Sequence, residues 1–354
     1  MEDITPKLKR APLSDKDFIP LKKLGRGSFG DVYLVRKVDT GQLFAMKTLS
    51  KRNSLEESWL RYVRTERHVL AEIDSPFIVR LQYAFQTEKK LFLVIDFCPG
   101  GDLETLLSNN AAPLTEDEAK FFIAEIILAL KELHQHNIIY RDLKPDNVVI
   151  DNDGHARLID FGMAKTDISD VYRGAQTFCG SVKYLAPEML KKIGHGQALD
   201  WYLLGVLLYE MLVGVTPYFS KDKDELFDNI INGKLKLPRT ISKEVKNLII
   251  CLLNRNPTKR LGSKPGEEGG EEIMAHPFFH DIDWTSLRDR RPTGNYIPEA
   301  PRSTIDDYQK AFPYSDLDDE EIEYIYHGDA DEEDSENADE PSDRYYGPVQ
   351  GWEY

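Results

Sequence analysis

The sequence predicts an α+β chain in two lobes, a β-rich front and a helix-rich back, followed by a C-terminal extension. Three observations carry this reading. From Phe18 to Asp96 short β-prone runs dominate. After Pro99-Gly100-Gly101 the apolar residues recur at helical spacing. The charge is uneven: of a net −16 over 354 residues, the stretch 316–343 holds fifteen Asp and Glu and no Lys or Arg, which leaves about −1 for the remainder. A length of this order suits about two domains.

Residues 1–17 are polar and read as a lead-in. LKKLGRGSFGDVYLV is two strands around a glycine loop, and GQLFAMKTL and KLFLVIDF are further strands. Between them residues 56–72 form a charged helix. These pieces make a small lobe over 18–96. In the large lobe, 97–279, Thr115 and Glu118 form a capping box. Ala119, Phe122, Ile123, Ile126, Ile127, Leu130 and Leu133 then mark one helix. Residues 148–150 and 156–159 predict a hairpin across Asp151-Asn152-Asp153-Gly154. Asp200 to Gly214 is apolar on nearly every face and predicts a buried helix. Residues 280–354 are the extension, with 316–343 as its acidic segment.

Several classes are disfavoured. Cys98, Cys179 and Cys251 are widely spaced and make neither a disulfide framework nor a zinc pattern. The N-terminus lacks an apolar signal core, and the longest apolar run, Trp201 to Tyr209, is too short to cross a bilayer. An acidic balance repels phosphate backbones, so no nucleic-acid partner is expected. The chain reads as a monomeric cytoplasmic protein, with nuclear access open. The acidic segment reads as a solvated spacer, because like charges in a block repel one another. Tyr324, Tyr326, Tyr345 and Tyr346 punctuate it.

Three clusters carry chemistry. The first is Gly25-Arg26-Gly27-Ser28-Phe29-Gly30-Asp31-Val32, preceded by Leu24. Glycines at this spacing let backbone N–H groups approach phosphate closely. A dinucleotide fold uses the same spacing but needs a helix after the third glycine, whereas Val32-Tyr33-Leu34-Val35 continues as a strand. Lys47 lies on the next strand, a point charge suited to phosphate. Glu66 is the candidate carboxylate to hold it, since it sits mid-helix with Val63, Val69 and Leu70 marking the buried side; Glu56, Glu57 and Glu72 compete. The second cluster is Tyr140-Arg141-Asp142-Leu143-Lys144-Pro145-Asp146-Asn147, and the third is Asp160-Phe161-Gly162. Asp142 and Asn147 have the spacing of a phosphotransfer catalytic loop. Asp160 and Asn147 offer hard oxygens to Mg²⁺, and Asp142 can orient an attacking hydroxyl.

With these elements in one order, the chain resembles a eukaryotic protein kinase from about Phe18 to Phe279. Ala186-Pro187-Glu188 closes the segment that Asp160 opens, and Arg260 is expected to pair with Glu188. Tyr140 before Arg-Asp, Thr177-Phe178-Cys179-Gly180, His276-Pro277-Phe278-Phe279 and Pro298-x-x-Pro301 are similar to the AGC group, the relatives of protein kinases A, B and C. The resemblance implies a bilobal kinase fold and a serine/threonine kinase using ATP and Mg²⁺. It gives the glycine loop and Lys47 the phosphates, Asp96 to Cys98 the adenine, and Ile95 the position behind it. Asp160 and Asn147 take magnesium, Lys144 the γ-phosphate, and Asp142 the substrate hydroxyl. It makes Thr177 an activating phosphorylation site for an upstream kinase, its phosphate meeting Arg141. Asp102, Asp146 and Glu210 stand where relatives hold upstream arginines of protein substrates, while Lys183 replaces a usual acid. Val349-Gln350-Gly351-Trp352-Glu353-Tyr354 resembles the group's hydrophobic motif. There Val349 is a weak first anchor, and Glu353 stands at a phosphosite with a permanent negative charge. The alternative is an inactive kinase-fold scaffold that binds partners through its acidic tail.

Overall fold

The computed structural model describes residues 13–27, 30–53, 56–175, 181–265, 267–291, 303–328 and 348–352. In chain order the first elements are β1 (Phe18–Gly27), β2 (Gly30–Lys37), β3 (Leu43–Ser50), α1 (Glu57–Glu72), β4 (Leu81–Gln86) and β5 (Lys90–Asp96). Next come α2 (Leu103–Asn109), α3 (Glu116–Gln135), β6 (Val148–Ile150), β7 (Ala156–Leu158), α4 (Pro187–Leu190) and α5 (Ala198–Val213). The remainder are α6 (Lys223–Asn232), α7 (Lys243–Leu252), α8 (Glu267–Met274), α9 (Trp284–Arg288), α10 (Ile305–Ala311) and α11 (Asp319–His327). Two compact units divide the chain. One comprises Met1–Leu60, Leu81–Phe97 and Gln309–Tyr354, the other Arg61–Arg80 and Cys98–Tyr308. This partition differs from a single cut at 96/97: most of α1 belongs to the second unit and the extension's end to the first.

The first unit is built on an antiparallel sheet of order β1-β2-β3-β5-β4. Gly27 faces Gly30 across β1 and β2, and Val32 faces Lys47 across β2 and β3. The glycine loop is therefore a hairpin, and the strand-to-helix alternative is ruled out. Phe18, Phe44, Phe85 and Phe92 fill one face with Met46 and Val94. Phe85 and Phe92 stack at 4.6 Å between ring centroids.

Helix α11 joins this core. Ile325 and Tyr326 are buried within it and Ile322 packs against it, the i, i+3, i+4 stripe of an amphipathic helix. The Tyr326 hydroxyl donates to Phe18 O at 2.9 Å, and Thr87 Oγ1 donates to Tyr326 O at 2.9 Å. Asp318 and Glu321 form a capping box, and Asp319, Glu320 and Glu321 occupy the first turn, where the helix dipole favours acids. Residues 319–327 are thus a docked helix and not solvated spacer; 329–343 lie outside the described residues. Further on, Val349 and Trp352 are buried. Gln86 reads the Val349 backbone twice, accepting from its N–H at 2.9 Å and donating to its carbonyl at 3.2 Å. The Trp352 indole donates to Phe85 O at 2.9 Å.

In the second unit the Thr115–Glu118 capping box starts α3. Helix α5 is almost wholly buried and ends at Gly214, whose φ of +81° forms a left-handed cap. The β6–β7 hairpin pairs Val148 with Leu158 and Ile150 with Ala156. Arg260 and Glu188 meet in two bonds of 2.7 and 3.0 Å, both side chains buried, as the resemblance implied. Among the described residues no helix is long and apolar enough to cross a membrane.

Candidate active site

The loop between α3 and β6 is anchored from below by a residue that the sequence reading passed over. Asp200, in the first turn of α5, has no solvent exposure. Its Oδ2 accepts from Tyr140 N at 2.9 Å and lies 2.7 Å from His134 Nε2, and its Oδ1 accepts from Arg141 N at 2.8 Å. The legible signal was a carboxylate in an otherwise apolar helix, which cannot be buried without partners. Arg141 takes a φ of +69°, a conformation a non-glycine residue keeps only when its surroundings hold it. Its side chain donates to Met163 O at 2.6 Å and to Ala164 O at 3.2 Å, tying the loop to the segment after Gly162.

Held this way, Asp142, Lys144 and Asn147 converge. Asn147 Nδ2 donates to Asp142 Oδ2 and to Asp142 O, both at 2.8 Å. Lys144 Nζ lies 3.1 Å from Asp142 Oδ2 and 3.4 Å from Ser181 Oγ. Burial raises the Asp142 carboxyl above its ordinary range, and Lys144 and Asn147 oppose the shift. Asp160 stands at φ +56°. Its Oδ1 accepts from the Tyr62 hydroxyl at 2.7 Å and from Gly162 N at 3.4 Å. The Tyr140 hydroxyl donates to Ile159 O, and its ring lies 5.3 Å from that of Phe161.

A second acidic group lies near this loop. Glu210 is pushed up to about 7, first by burial and then by Glu104; Lys183 opposes the shift and Asp146 adds to it. Tyr184 donates its hydroxyl to Glu210. Glu104 was not singled out from the sequence. Asp102 is the N-cap of α2, accepting from Thr105 N at 2.6 Å, so one of its oxygens is already used.

In the first unit, Gly25, Arg26 and Gly27 end β1 while Gly30, Asp31 and Val32 begin β2, with Leu24 exposed just before them. A Cβ on Gly30 would stand 1.6 Å from Thr48 O, so packing alone demands glycine there. At Gly25 a Cβ would meet nothing within 4 Å, and at Gly27 nothing closer than 3.4 Å. Lys47 is buried. Asp96 accepts from Gln82 Nε2 at 2.7 Å. In the second unit Cys98 and Glu66 are buried. Ser28, Phe29, Thr177 and Glu353 lie outside the described residues. Among the described residues no three His, Cys, Asp or Glu gather as a metal cage. Asp160 and Asn147 supply two hard oxygen donors, which suits Mg²⁺, an ion that keeps waters and phosphates among its ligands and needs few from the protein.

The chain is similar to known proteins over most of its length. The protein kinase domain model matches residues 18–279. The chain is 47% identical over 285 residues to ribosomal protein S6 kinase 2 alpha of Xenopus laevis, covering 80% of this chain and 38% of that protein. It is 48% identical over 283 residues to ribosomal protein S6 kinase alpha-6 of Homo sapiens, covering 79% and 37%. It is 44% identical over 294 residues to protein kinase 3 of Dictyostelium discoideum, covering 81% and 32%. The matched part thus spans less than half of each of these relatives. The convergence of Asp142, Lys144 and Asn147 on the loop that Asp200 anchors, together with these matches, leads to one conclusion: the chain belongs to the protein kinase family.

Proposed function

We propose that this chain transfers the γ-phosphate of ATP to serine or threonine hydroxyls of proteins, with a preference for basic residues upstream. The observation that carries this reading is the catalytic carboxylate itself. Asp142 is buried, oriented by Asn147 at 2.8 Å and paired with Lys144 at 3.1 Å. It can accept a hydrogen bond from a substrate hydroxyl and turn its lone pair toward phosphorus. Lys144, bonded also to Ser181, carries the positive charge that offsets charge developing on the transferred group. No covalent intermediate is needed, because positioning and electrostatics supply most of the acceleration.

The glycines support a nucleotide. Packing does not explain Gly25 and Gly27, where a side chain would have room; a need for close backbone approach to phosphate does. Lys47 is the cation assigned to those phosphates, and Asp96 and Cys98 are assigned to the base. Asp160 and Asn147 would hold Mg²⁺, which when bound neutralises phosphate charge. Substrate arginines would meet Glu210, Asp146 and Asp102. Thr177 is assigned as the activating site for an upstream kinase, with Arg141 receiving its phosphate and Glu353 in part imitating another. Protein substrates in the cytoplasm complete the reading.

The test is transfer of labelled phosphate from ATP to an arginine-containing serine peptide library. The chain with Thr177 phosphorylated should label it, and Asp142→Ala should lose labelling by several orders of magnitude. Equal labelling by both proteins would refute the assignment.

A further inference from the structure

Tyr62 lies one helical turn before Glu66 on α1, in the part of the helix that belongs to the second unit. It is buried, and its hydroxyl donates to Asp160 Oδ1 at 2.7 Å. Its ring covers Gly162 so closely that a Cβ there would stand 1.9 Å from the tyrosine Cζ. Ring packing accounts for an aromatic residue at this position. It does not account for the hydroxyl, since phenylalanine would fill the same space without burying a polar atom, and a buried hydroxyl without a bond is costly. The hydroxyl is explained by its acceptor. Asp160 stands in a left-handed backbone conformation, and its carboxylate has to present a defined direction if it is to bind a cation.

We propose that Tyr62 is a positioning residue for magnesium, fixing one oxygen of Asp160 from behind so that the carboxylate is presented to the ion in a single orientation. This rests on the assignment of Asp160 as a metal ligand made above. Partners of this kind, which bond a metal-binding carboxylate without touching the metal, typically control metal affinity by 10–100-fold. Nothing in the local sequence marks the tyrosine, because its acceptor is 98 residues away.

The test uses the full chain with Tyr62→Phe, which keeps the ring on Gly162 and deletes only the hydroxyl. Binding of a non-hydrolysable ATP analogue is titrated with Mg²⁺, and Mn²⁺ occupancy is followed by electron paramagnetic resonance. The half-saturating metal concentration should rise about 10-fold or more, while the metal-free melting temperature stays at the parent value. In turnover, the loss should fall on the Mg²⁺ dependence more than on kcat at saturating metal. Asp160→Asn is measured alongside. If it abolishes metal-dependent binding while Tyr62→Phe titrates like the parent, the role of Tyr62 is refuted and that of Asp160 stands. Tighter metal binding by Tyr62→Phe would also refute it, because the phenol would then be competing with the ion. If Asp160→Asn titrates like the parent, the assignment beneath the proposal fails as well.

Discussion

Replacing Trp352 with alanine should release the C-terminal segment from the first unit. The indole is 1% exposed, and deleting a tryptophan from a packed site costs about 3–5 kcal/mol. Val349 contributes about 1.5–3 kcal/mol of burial. Its two bonds to Gln86 and the indole bond to Phe85 O contribute about 0.5–1.5 kcal/mol each. Ordering five backbone residues costs about 5–10 kcal/mol. Gains and cost nearly cancel, so docking is marginal and Trp352 decides it. A loss of about 4 kcal/mol shifts the docked-to-free ratio by about a thousandfold.

Hydrogen exchange reads this directly. The Val349 amide, bonded to Gln86 Oε1, should be protected in the parent and exchange at the rate of a free chain in Trp352→Ala. Trp352→Phe keeps a ring, loses the donor to Phe85 O, and should fall between the two. Unchanged protection in Trp352→Ala would refute the reasoning, since the segment would then be held by something other than the indole.

Two further outcomes follow from the second unit. Arg260→Met should destabilise it by about 3–5 kcal/mol, because Glu188 would be left as a buried charge without its cation. The double variant Arg260→Met, Glu188→Leu should regain much of the loss in urea titration, and a single variant as stable as the parent would contradict the pair's role. Glu210 supplies a pH test. Its folded pKa, about 7, lies above the ordinary glutamate value, so the folded state binds the extra proton. This group's contribution to stability therefore falls as pH rises from the unfolded pKa through about 7. Its value to a cationic substrate changes the other way: KM for an arginine peptide should fall as pH rises through 7. Glu210→Gln should flatten that dependence and raise KM at pH 8; an unaltered profile would remove Glu210 from recognition.

Much of the local architecture was written in short-range patterns. The Thr115–Glu118 box, the turn at Asp151 to Gly154, the apolar α5 and the strand after Gly30 are decided by residues within one turn or one hairpin of each other. Their propensities and spacings are therefore visible in sequence. The chemistry-bearing residues Asp142, Lys144 and Asn147 were visible for the same reason, since they share six positions of one loop. Helix α11 carries a local signal of its own: Ile322, Ile325 and Tyr326 have helical spacing, but the surrounding acids mask it. Those acids are tolerated because Asp318 and Glu321 cap the helix's own N-terminus and Asp319 and Glu320 lie in its first turn.

The sequence by itself determined the kinds of element, the order of the motifs and the membership of the catalytic loop. Tertiary structure alone decided what holds them. Asp200 reaches Tyr140 and Arg141 across 60 and 59 residues, Tyr62 reaches Asp160 across 98, and Trp352 reaches Phe85 across 267. A buried hydrogen-bonding group must find a partner wherever the fold brings one, and no periodicity in the chain records which partner that will be.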